Sequence, residues 1–410
     1  MARTVADLPK GTRITDYVSL GVLAKTFPLQ LIHELLAQTS KSSERQRDFP
    51  AHVVVYYVIA MALYMGVSCR EVLRCLLEGI RWLMGPTAPI HVAGKSGISQ
   101  ARERLGSEVV ELLHDRVVGP IAQKTRRRTT RGAWYRRWRL VSLDGSTLDV
   151  ADTVENAKAF GRPKASRGQS AFPQLRFVSL VESGTHVLFG SRMANYDTGE
   201  ITLAKQVIGS IVPGMLCLAD RNFFGYELWE QACATKADQL WRVKKNLNLA
   251  CLKRFDDGSY LSKIYPSDKD RRHDSNGIIV RVIDYVLEGV SDAEPIYRLV
   301  TNILDPDQAP AHELAALYCQ RWEIETALDE FKTHLRGSRI VLRSKRPDLV
   351  RQEFFGFMMA HFAVRGVMHE AALRADEDPD RLSYVHAVRV IRRRLAGFAA
   401  LPPSGQKSLP

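Results

Sequence analysis

The sequence predicts an α/β protein in which a mixed sheet is flanked by helices, with an α-helical domain before the sheet and a β-rich insertion within it. Three observations support this class. The chain has 410 residues, 45% of them hydrophobic, enough for packed cores in two or three domains. Residues 14–115 carry apolar side chains at helical spacing. Beyond residue 139, short apolar runs bounded by turn residues indicate strands.

The charge balance indicates a polyanionic partner. Lys and Arg total 58 against 45 Asp and Glu, which gives a formal charge of +13 and a pI near 9.5. A basic surface binds polyanions through counterion release and attracts them from a distance. Nucleic acid is therefore the first partner to consider.

The first 120 residues are predicted to form a helical DNA-binding domain. Helices are expected at FPLQLIHELLAQ, in the apolar run after Pro50, at REVLRCLLEGIRWLMG and at SGISQARERLG. Ser99 is a candidate N-cap for a short helix that carries Arg102 and Arg104. Residues 70–106 fit either a helix–turn–helix or a plain helical bundle.

After residue 139 the pattern changes to strands. Strands are predicted at RLVSLDG, STLDV, LRFVSLVE and GTHVLFGSRMA, with a hairpin turn at Ser183-Gly184. A helix at EITLAKQVIGSI, a strand at MLCLAD and a helix at YELWEQACATK follow, and this order of elements matches a ribonuclease H-like core. Further short strands without a helical period fill the region up to about residue 308. The predicted segments are a first part of the core at 121–237, a β-rich insertion at 238–310, a core helix at 311–345 and a C-terminal helical region at 346–410.

A basic run with interleaved aromatic residues precedes the core. Residues 124–139, KTRRRTTRGAWYRRWR, hold eight cations around Trp134, Tyr135 and Trp138. Such a run is either a solvated linker or a DNA contact, and the aromatic residues favour DNA. The residues predicted to bind DNA here are Arg126, Arg127, Arg128, Arg136 and Arg137.

Cysteines and apolar runs indicate an intracellular protein. The six cysteines lack the spacing of a zinc site and are interpreted as reduced core residues. The N-terminus lacks the apolar segment of a signal peptide, so a cytoplasmic location is expected. The uncharged run at 51–69 is marginal for a membrane span and is expected to be a buried helix.

Three carboxylates are candidates for metal binding and catalysis. Asp144 ends the apolar run LVSLD, Asp220 ends MLCLAD, and Glu325 lies in a later helix. A single Asp after a strand is usually a turn residue, but convergent carboxylates at the carboxyl ends of strands supply the oxygen ligands that two divalent ions need. Asp149 and Asp329 are the competing candidates.

The segment YCQRWEIETALDEFKTHLRG, residues 318–337, places a phenol, two cations and a carboxylate on one predicted helix face. At 100° per residue, Arg321, Glu325 and Lys332 fall within about 60° of Tyr318. The face is either a solvated surface with i,i+4 pairs or a phosphate-binding stripe around a metal ligand.

These four residues satisfy the Y-(2)-R-(3)-E-(6)-K signature, so the chain resembles DDE transposases of the bacterial insertion sequence four family. The blocks DGSTLDV, DTVENAKAFGRP and LADRNFFGYELW fit as well, and the resemblance covers residues 15–396. It implies a ribonuclease H-like fold with a β-rich insertion, and DNA cleavage at transposon ends followed by strand transfer. It also implies two Mg²⁺ or Mn²⁺ ions per active site, double-stranded DNA as transposon end and target, a dimeric synaptic complex and a location at the bacterial nucleoid.

Two alternatives to a transposase remain open from the sequence. One is a metal-dependent, structure-selective nuclease, which would hydrolyse DNA without joining ends. The other is a non-catalytic DNA-binding protein descended from a transposase.

Trp241, beside Arg242, Lys244 and Lys245, is predicted to contact distorted DNA, with burial in a β core as the alternative. Any C-terminal dimerisation element after the basic segment VRVIRRRL is expected to be short or absent.

Overall fold

The sheet carries the core of the fold, and its strands occupy the middle of the chain. The computed structural model describes residues 23–43, 49–74, 76, 94–126, 128–165, 168–169, 172–287, 294–319, 321, 323–335 and 341–388. In chain order the strands are β1 Trp134–Tyr135, β2 Trp138–Asp149, β3 Lys164–Ala165, β4 Gly168–Gln169, β5 Gln174–Glu182, β6 Val187–Asn195, β7 Met215–Ala219, β8 Asp238–Val243, β9 Lys253–Arg254, β10 Tyr260–Ile264, β11 Ile278–Tyr285 and β12 Tyr297–Thr301.

Helices precede, interrupt and follow the strands. They are α1 Leu29–Gln38, α2 Ala51–Leu63, α3 Lys95–Leu105, α4 Glu108–Val117, α5 Val154–Phe160, α6 Glu200–Val207, α7 Tyr226–Ala234, α8 Asp268–His273, α9 Ala311–Cys319, α10 Glu323–Asp329 and α11 Pro347–Ala375. A π-helical segment, Glu330–Leu335, follows α10.

The chain divides into two units. The sheet unit consists of Ala122–Thr147 and Leu175–Leu328, and the helical unit consists of Met1–Ile121, Leu148–Gln174 and Asp329–Pro410. The predicted N-terminal domain and the predicted C-terminal helical region therefore belong to one unit.

The order of the large sheet confirms the ribonuclease H-like prediction. Its strands lie in the order β6-β5-β2-β7-β8-β12-β11-β10-β9, with β1 on β2. β5 and β6 form an antiparallel hairpin, while β2, β7 and β8 run parallel. The first five strands thus give the sheet order of a ribonuclease H-like core. The core strand β8 falls inside the segment predicted as the insertion, and β9–β12 extend the same sheet by antiparallel pairing.

Two local expectations are wrong. RLVSLDG and STLDV form the single strand β2, so Asp144 lies within a strand rather than at its end; the intervening Gly145 does not have the positive φ that would turn the chain. The region before residue 308, which was expected to have no helical period, contains α8. The Ser267 side chain accepts the backbone N–H of Asp270 and caps the first turn of this helix.

Helix α9 packs on one face of the sheet and closes the core of the sheet unit. Leu314, Leu317 and Tyr318 are buried in a cluster with Leu218 of β7 and Leu240 of β8. Burial of this apolar area is the main stabilising contribution. The N-terminus of α9 is fixed by Asp257, whose carboxylate accepts the Ala311 N–H at 2.9 Å. The core and this hydrogen bond thereby position α9.

The helical unit is built around α2 and α11. Every residue of α2 from Val53 to Leu63 is buried, as expected for the apolar run. Gly356 of α11 lies so close to α2 that a Cβ there would come within 2.7 Å of the Val58 carbonyl oxygen. Within the described ranges, no helix combines the length and apolar character needed to cross a membrane.

Arg102, which was expected to face DNA, is buried instead. Its guanidinium donates to Gln352, to Ser344 Oγ at 3.0 Å and to the Leu349 carbonyl at 2.8 Å. Helix α3 begins at Lys95, with Gly94 in the N-cap position, so Ser99 is not a cap. Residues 77–93 of the suggested helix–turn–helix, and the basic segment from residue 389 onward, lie outside the described residues.

The prediction that the cysteines are core residues is only partly correct. Cys217 is buried on β7, whereas Cys251 and Cys319 are exposed. The described cysteines are free thiols. Cys75 lies outside the described residues.

Candidate active site

Two neighbouring strands place the first two predicted carboxylates side by side. β2 and β7 run parallel, and their last paired residues are Leu143 and Ala219. Asp144 and Asp220 stand one residue further along each strand. Adjacent strands lie about 4.8 Å apart, and paired positions face the same side of a sheet. The two carboxylates are therefore neighbours where β7 ends.

The Asp220 carboxylate is held by the turn that follows β7. Its Oδ1 accepts the backbone N–H of Arg221 at 2.6 Å, and its Oδ2 accepts the Asn222 amide at 3.4 Å. The Asp220 carbonyl accepts the Phe223 N–H at 3.0 Å and closes the turn. The apolar strand supplies the position, and the turn fixes the side chain.

The Asp144 carboxyl has a strongly perturbed pKa. Burial raises its pKa from 3.8 to about 6, because a low-polarity environment disfavours the charged form. The Gly145 N–H, which donates to Asp144 Oδ1 at 2.8 Å, and the Arg321 charge act in the opposite direction. Repulsion from Glu200 and Asp220 adds to the increase in pKa.

Glu200 is a fourth carboxylate at this site, and the sequence analysis did not identify it. It is the first residue of α6. A Cβ on Gly145 would lie 2.9 Å from Glu200 Cδ and 3.1 Å from its Oε1. Only glycine at position 145 lets the Glu200 side chain approach so closely. The glycine after Asp144 is the one sequence signal that could have suggested a close neighbour.

The predicted helical stripe is interrupted. Helix α9 ends at Cys319 and α10 begins at Glu323, so the 100° spacing does not run continuously from Tyr318 to Glu325. Tyr318 is buried, and its hydroxyl donates to the Ala219 carbonyl at 3.2 Å. The Glu325 side chain, by contrast, is 52% exposed. Tyr318 therefore holds α9 against the end of β7, next to Asp220.

Arg321 connects the two parts of the site. Its Nη2 lies 4.0 Å from Glu325 Oε1, and its guanidinium carbon lies 5.9 Å from the centre of the Tyr318 ring. Its charge also lowers the pKa of Asp144. One arginine thus interacts with a candidate carboxylate on the sheet and with the candidate on α10.

Two known protein families match most of the chain. Residues 17–115 match the family described as insertion element 4 transposase N-terminal, and residues 137–363 match the transposase DDE domain. The second match covers more than half of the chain and includes Asp144, Asp220 and Glu325. The chain belongs to the insertion sequence 4 family of DDE transposases.

Individual relatives agree with this family. The transposase is 27% identical over 383 residues to transposase InsG of insertion sequence element IS4 from Escherichia coli strain K12, covering 91% of this chain and 82% of InsG. It is 23% identical over 211 residues to the putative transposase InsZ of the same organism, covering 51% and 66%. A piggyBac transposase synaptic complex with hairpin DNA aligns over 97% of this chain and 84% of that chain, with 11% identity and a TM-score of 0.47.

Family membership establishes the class of activity. The protein is a DNA-cleaving and strand-transferring enzyme, its partner is DNA, and its family depends on divalent metal ions. None of these matches favours the structure-selective nuclease or the catalytically silent descendant.

The basic run of the transposase divides into exposed and engaged arginines. Arg126 and Arg128 are exposed on a tight turn closed by the Lys124–Thr129 bridge. Arg127 lies outside the described residues. Arg136 donates to Glu313 at 2.9 Å and to the Gln308 carbonyl at 2.7 Å. Arg137 donates to the Gln308 side chain at 2.9 Å. Arg126 and Arg128 are therefore the better placed for DNA.

Trp241 is not placed to contact DNA. Its side chain is fully buried in β8, packs edge-on against Trp229 at 5.2 Å, and donates its indole N–H to Gln239 at 3.1 Å. The alternative, burial in the core, holds because Trp229 of α7 packs against the Trp241 ring on this face of the sheet. Lys332 lies in the π-helical segment and belongs to the helical unit.

The donor set of the transposase suits a hard divalent cation. Asp144, Asp220 and Glu200 offer carboxylate oxygens, and Glu325 adds another on α10. Within the described part of the chain, no three His, Cys, Asp or Glu side chains are grouped closely enough to hold an ion as they stand. The residue types therefore suit a divalent cation. The Glu325 side chain is directed toward solvent and Arg321.

Proposed function

We propose that Asp144, Asp220 and Glu325 are the catalytic carboxylates of the transposase and that they hold two Mg²⁺ or Mn²⁺ ions. The observation that supports this most directly is the register of β2 and β7, which makes Asp144 and Asp220 neighbours. Arg321 interacts with both Asp144 and Glu325. Asp149 is less suitable because its carboxylate accepts the Gln174 amide at 2.7 Å.

The proposed reaction is a pair of in-line displacements at phosphorus. Water attacks a phosphate at the transposon end; the P–O3′ bond breaks, leaving a 3′-hydroxyl on the element and a 5′-phosphate on the flanking strand. That 3′-hydroxyl then attacks a phosphate of target DNA, and the target's own 3′-oxygen leaves. Bound divalent ions supply Lewis acidity to the attacking and leaving oxygens.

Other residues of the site position groups in this reaction. Arg321 offers a planar guanidinium that can bind a phosphate once Glu325 turns to a cation. Tyr318 keeps α9 attached to the strand that ends at Asp220. Lys332 is proposed to bind a phosphate of the same DNA strand. The raised pKa of Asp144 is expected to fall when a cation binds, because a cation favours the carboxylate.

The remaining parts of the proposal concern assembly and DNA binding. Two copies are proposed to act in one synaptic complex at the nucleoid, each bound to a transposon end. Residues 17–115 are proposed to bind the terminal repeat, and Arg126 and Arg128 to add phosphate contacts that carry little sequence information.

A cleavage and joining assay with full-length protein tests the catalytic proposal. Asp144→Asn, Asp220→Asn and Glu325→Gln should each abolish cleavage and joining in Mg²⁺ while end binding persists, since each removes one ligand charge with little change in shape. Asp149→Asn and Asp329→Asn are the matched controls and should remain active. An active Glu325→Gln together with an inactive Asp329→Asn would assign the helix ligand to Asp329. Cleavage without joined products in the wild type would favour the nuclease.

A further inference from the structure

Two arginines beside Asp220 share one carboxylate. Arg221 Nη1 lies 2.8 Å from Glu294 Oε1, and Arg242 Nη2 lies 2.7 Å from the same oxygen. The three side chains carry a net charge of +1, and they are 43%, 17% and 34% exposed for Arg221, Arg242 and Glu294 respectively. Two guanidinium groups converging on one oxygen anion also provide the donors that bind a phosphate.

The position of this pair relative to the site follows from strand register. The last paired residues of β7 and β8 are Ala219 and Trp241, so Arg242 stands beside Asp220 as Asp220 stands beside Asp144. Arg221 is the next residue after Asp220, and its backbone N–H is already bound to that carboxylate. A phosphate held by both arginines would thus be a near neighbour of the metal-binding carboxylates.

Packing orients the Arg242 side chain. Its guanidinium carbon lies 4.6 Å from the centre of the Tyr297 ring, and Tyr297 stacks on Tyr285 with ring centres 5.3 Å apart. Stacking on an aromatic face fixes the plane of the guanidinium and leaves its N–H groups free to bind an anion. Glu294 lies three residues before Tyr297, whose hydroxyl accepts the Glu294 N–H at 3.1 Å.

We propose that Arg221 and Arg242 form a binding site for a backbone phosphate of the DNA strand held at Asp220, and that Glu294 occupies this site when DNA is absent. The inference rests on the proposed catalytic role of Asp220. DNA binding exchanges one anion for another at the arginines, and the displaced carboxylate is released toward solvent. Glu294 therefore competes with DNA for the site.

An ordinary surface ion pair would predict something different. Exposed pairs stabilise a fold only weakly, and removal of one partner would leave DNA affinity unchanged. Competition predicts instead that loss of the Glu294 charge raises DNA affinity. The exposed pair formed by Asp284 of β11 and Arg298 of β12, with distances of 2.7 and 3.1 Å, provides a matched control.

The test measures DNA affinity of the full-length protein by fluorescence anisotropy in EDTA, which prevents cleavage. The probes are a labelled duplex with one end of the element and an unrelated duplex of equal length. Glu294→Gln should bind both about three- to tenfold more tightly at 0.1 M salt. The slope of log affinity against log salt should steepen by up to about 0.9. Asp284→Asn should match the wild type.

Further variants separate competition from a structural effect. Glu294→Asp keeps the charge and should not gain affinity. Arg221→Ala and Arg242→Ala should each bind more weakly, and Glu294→Gln should have no effect once both arginines are alanine. An unchanged or lower affinity of Glu294→Gln, with a thermal midpoint equal to that of the wild type, would overturn the proposal, as would a gain confined to the element end. The proposed catalytic role of Asp220 is tested separately, by the cleavage assay with Asp220→Asn.

Discussion

Replacement of Asp144 by asparagine should make the metal-free protein more stable at neutral pH while abolishing its chemistry. Burial raises the pKa of Asp144 from 3.8 to about 6. A group with a higher pKa in the folded state binds a proton more tightly there, so its ionisation at pH 7 opposes folding. Asparagine has nearly the same shape, can accept the Gly145 N–H, and carries no charge.

The magnitude follows from the two pKa values. A tenfold change in an acid dissociation constant corresponds to about 1.4 kcal/mol, so ionised Asp144 lowers the free energy of unfolding by up to about 3 kcal/mol. At pH 8 the Asn variant should therefore be more stable by up to this amount. The gain falls to about half at pH 5 and nearly vanishes below pH 3, where the folded and unfolded states are both protonated.

Urea denaturation in EDTA, followed by tryptophan fluorescence, measures this difference. Trp134, Trp138, Trp229 and Trp241 lie in the sheet unit with Asp144. Asp149→Asn serves as control and should give no comparable gain, because its carboxylate accepts a hydrogen bond from Gln174. Added Mg²⁺ should reverse the order by stabilising the wild type alone. An Asn variant that is equally or less stable at pH 8 would refute the reasoning.

Three more substitutions test the packing around the site and the helical unit. Tyr318→Phe removes the hydrogen bond to β7 and should lower the free energy of unfolding by about 1 kcal/mol in urea denaturation; no loss would contradict the bond. Gly356→Ala places a Cβ 2.7 Å from a backbone oxygen of α2 and should lower the free energy of unfolding by about 1–3 kcal/mol. Gly366→Ala, whose Cβ would have nothing within 4 Å, is the control and should be neutral or stabilising. Thermal denaturation of both variants measures the difference. Gly145→Ala displaces Glu200 from Asp144 and should slow cleavage about ten- to hundredfold in a gel assay; an unchanged rate would show that Glu200 is not needed there.

The sequence predicted the features that depend on a single strand or on a single residue spacing. The parallel strands whose last paired residues are Leu143 and Ala219 follow from their apolar runs, and their register brings together the two aspartates. The residue spacing from Tyr318 to Lys332 identified the family even though the chain does not form one helix there. Local pattern and family signature thus predicted the sheet core and the principal candidate residues.

Features that depend on packing partners could not be predicted in this way. Arg102 has the spacing of a surface residue, yet Gln352, 250 positions away, binds its guanidinium in the interior. Trp241 next to cations suggests a nucleic-acid contact, but its ring is buried against Trp229 of α7, a contact that no local pattern encodes. Glu200 reaches the site only because Gly145 leaves room for it.

The extension of the sheet by β9–β12 also bears on aggregation. Without it, β8 would be an outermost strand, and its unpaired backbone N–H and C=O groups, next to the apolar Leu240, Trp241 and Val243, would form a template for another chain. In this protein the outermost strand at that side is β9, only two residues long and formed by the exposed Lys253 and Arg254. Short, positively charged edges resist pairing with other strands. The insertion therefore keeps the strand beside the proposed catalytic aspartates out of reach of intermolecular β-pairing.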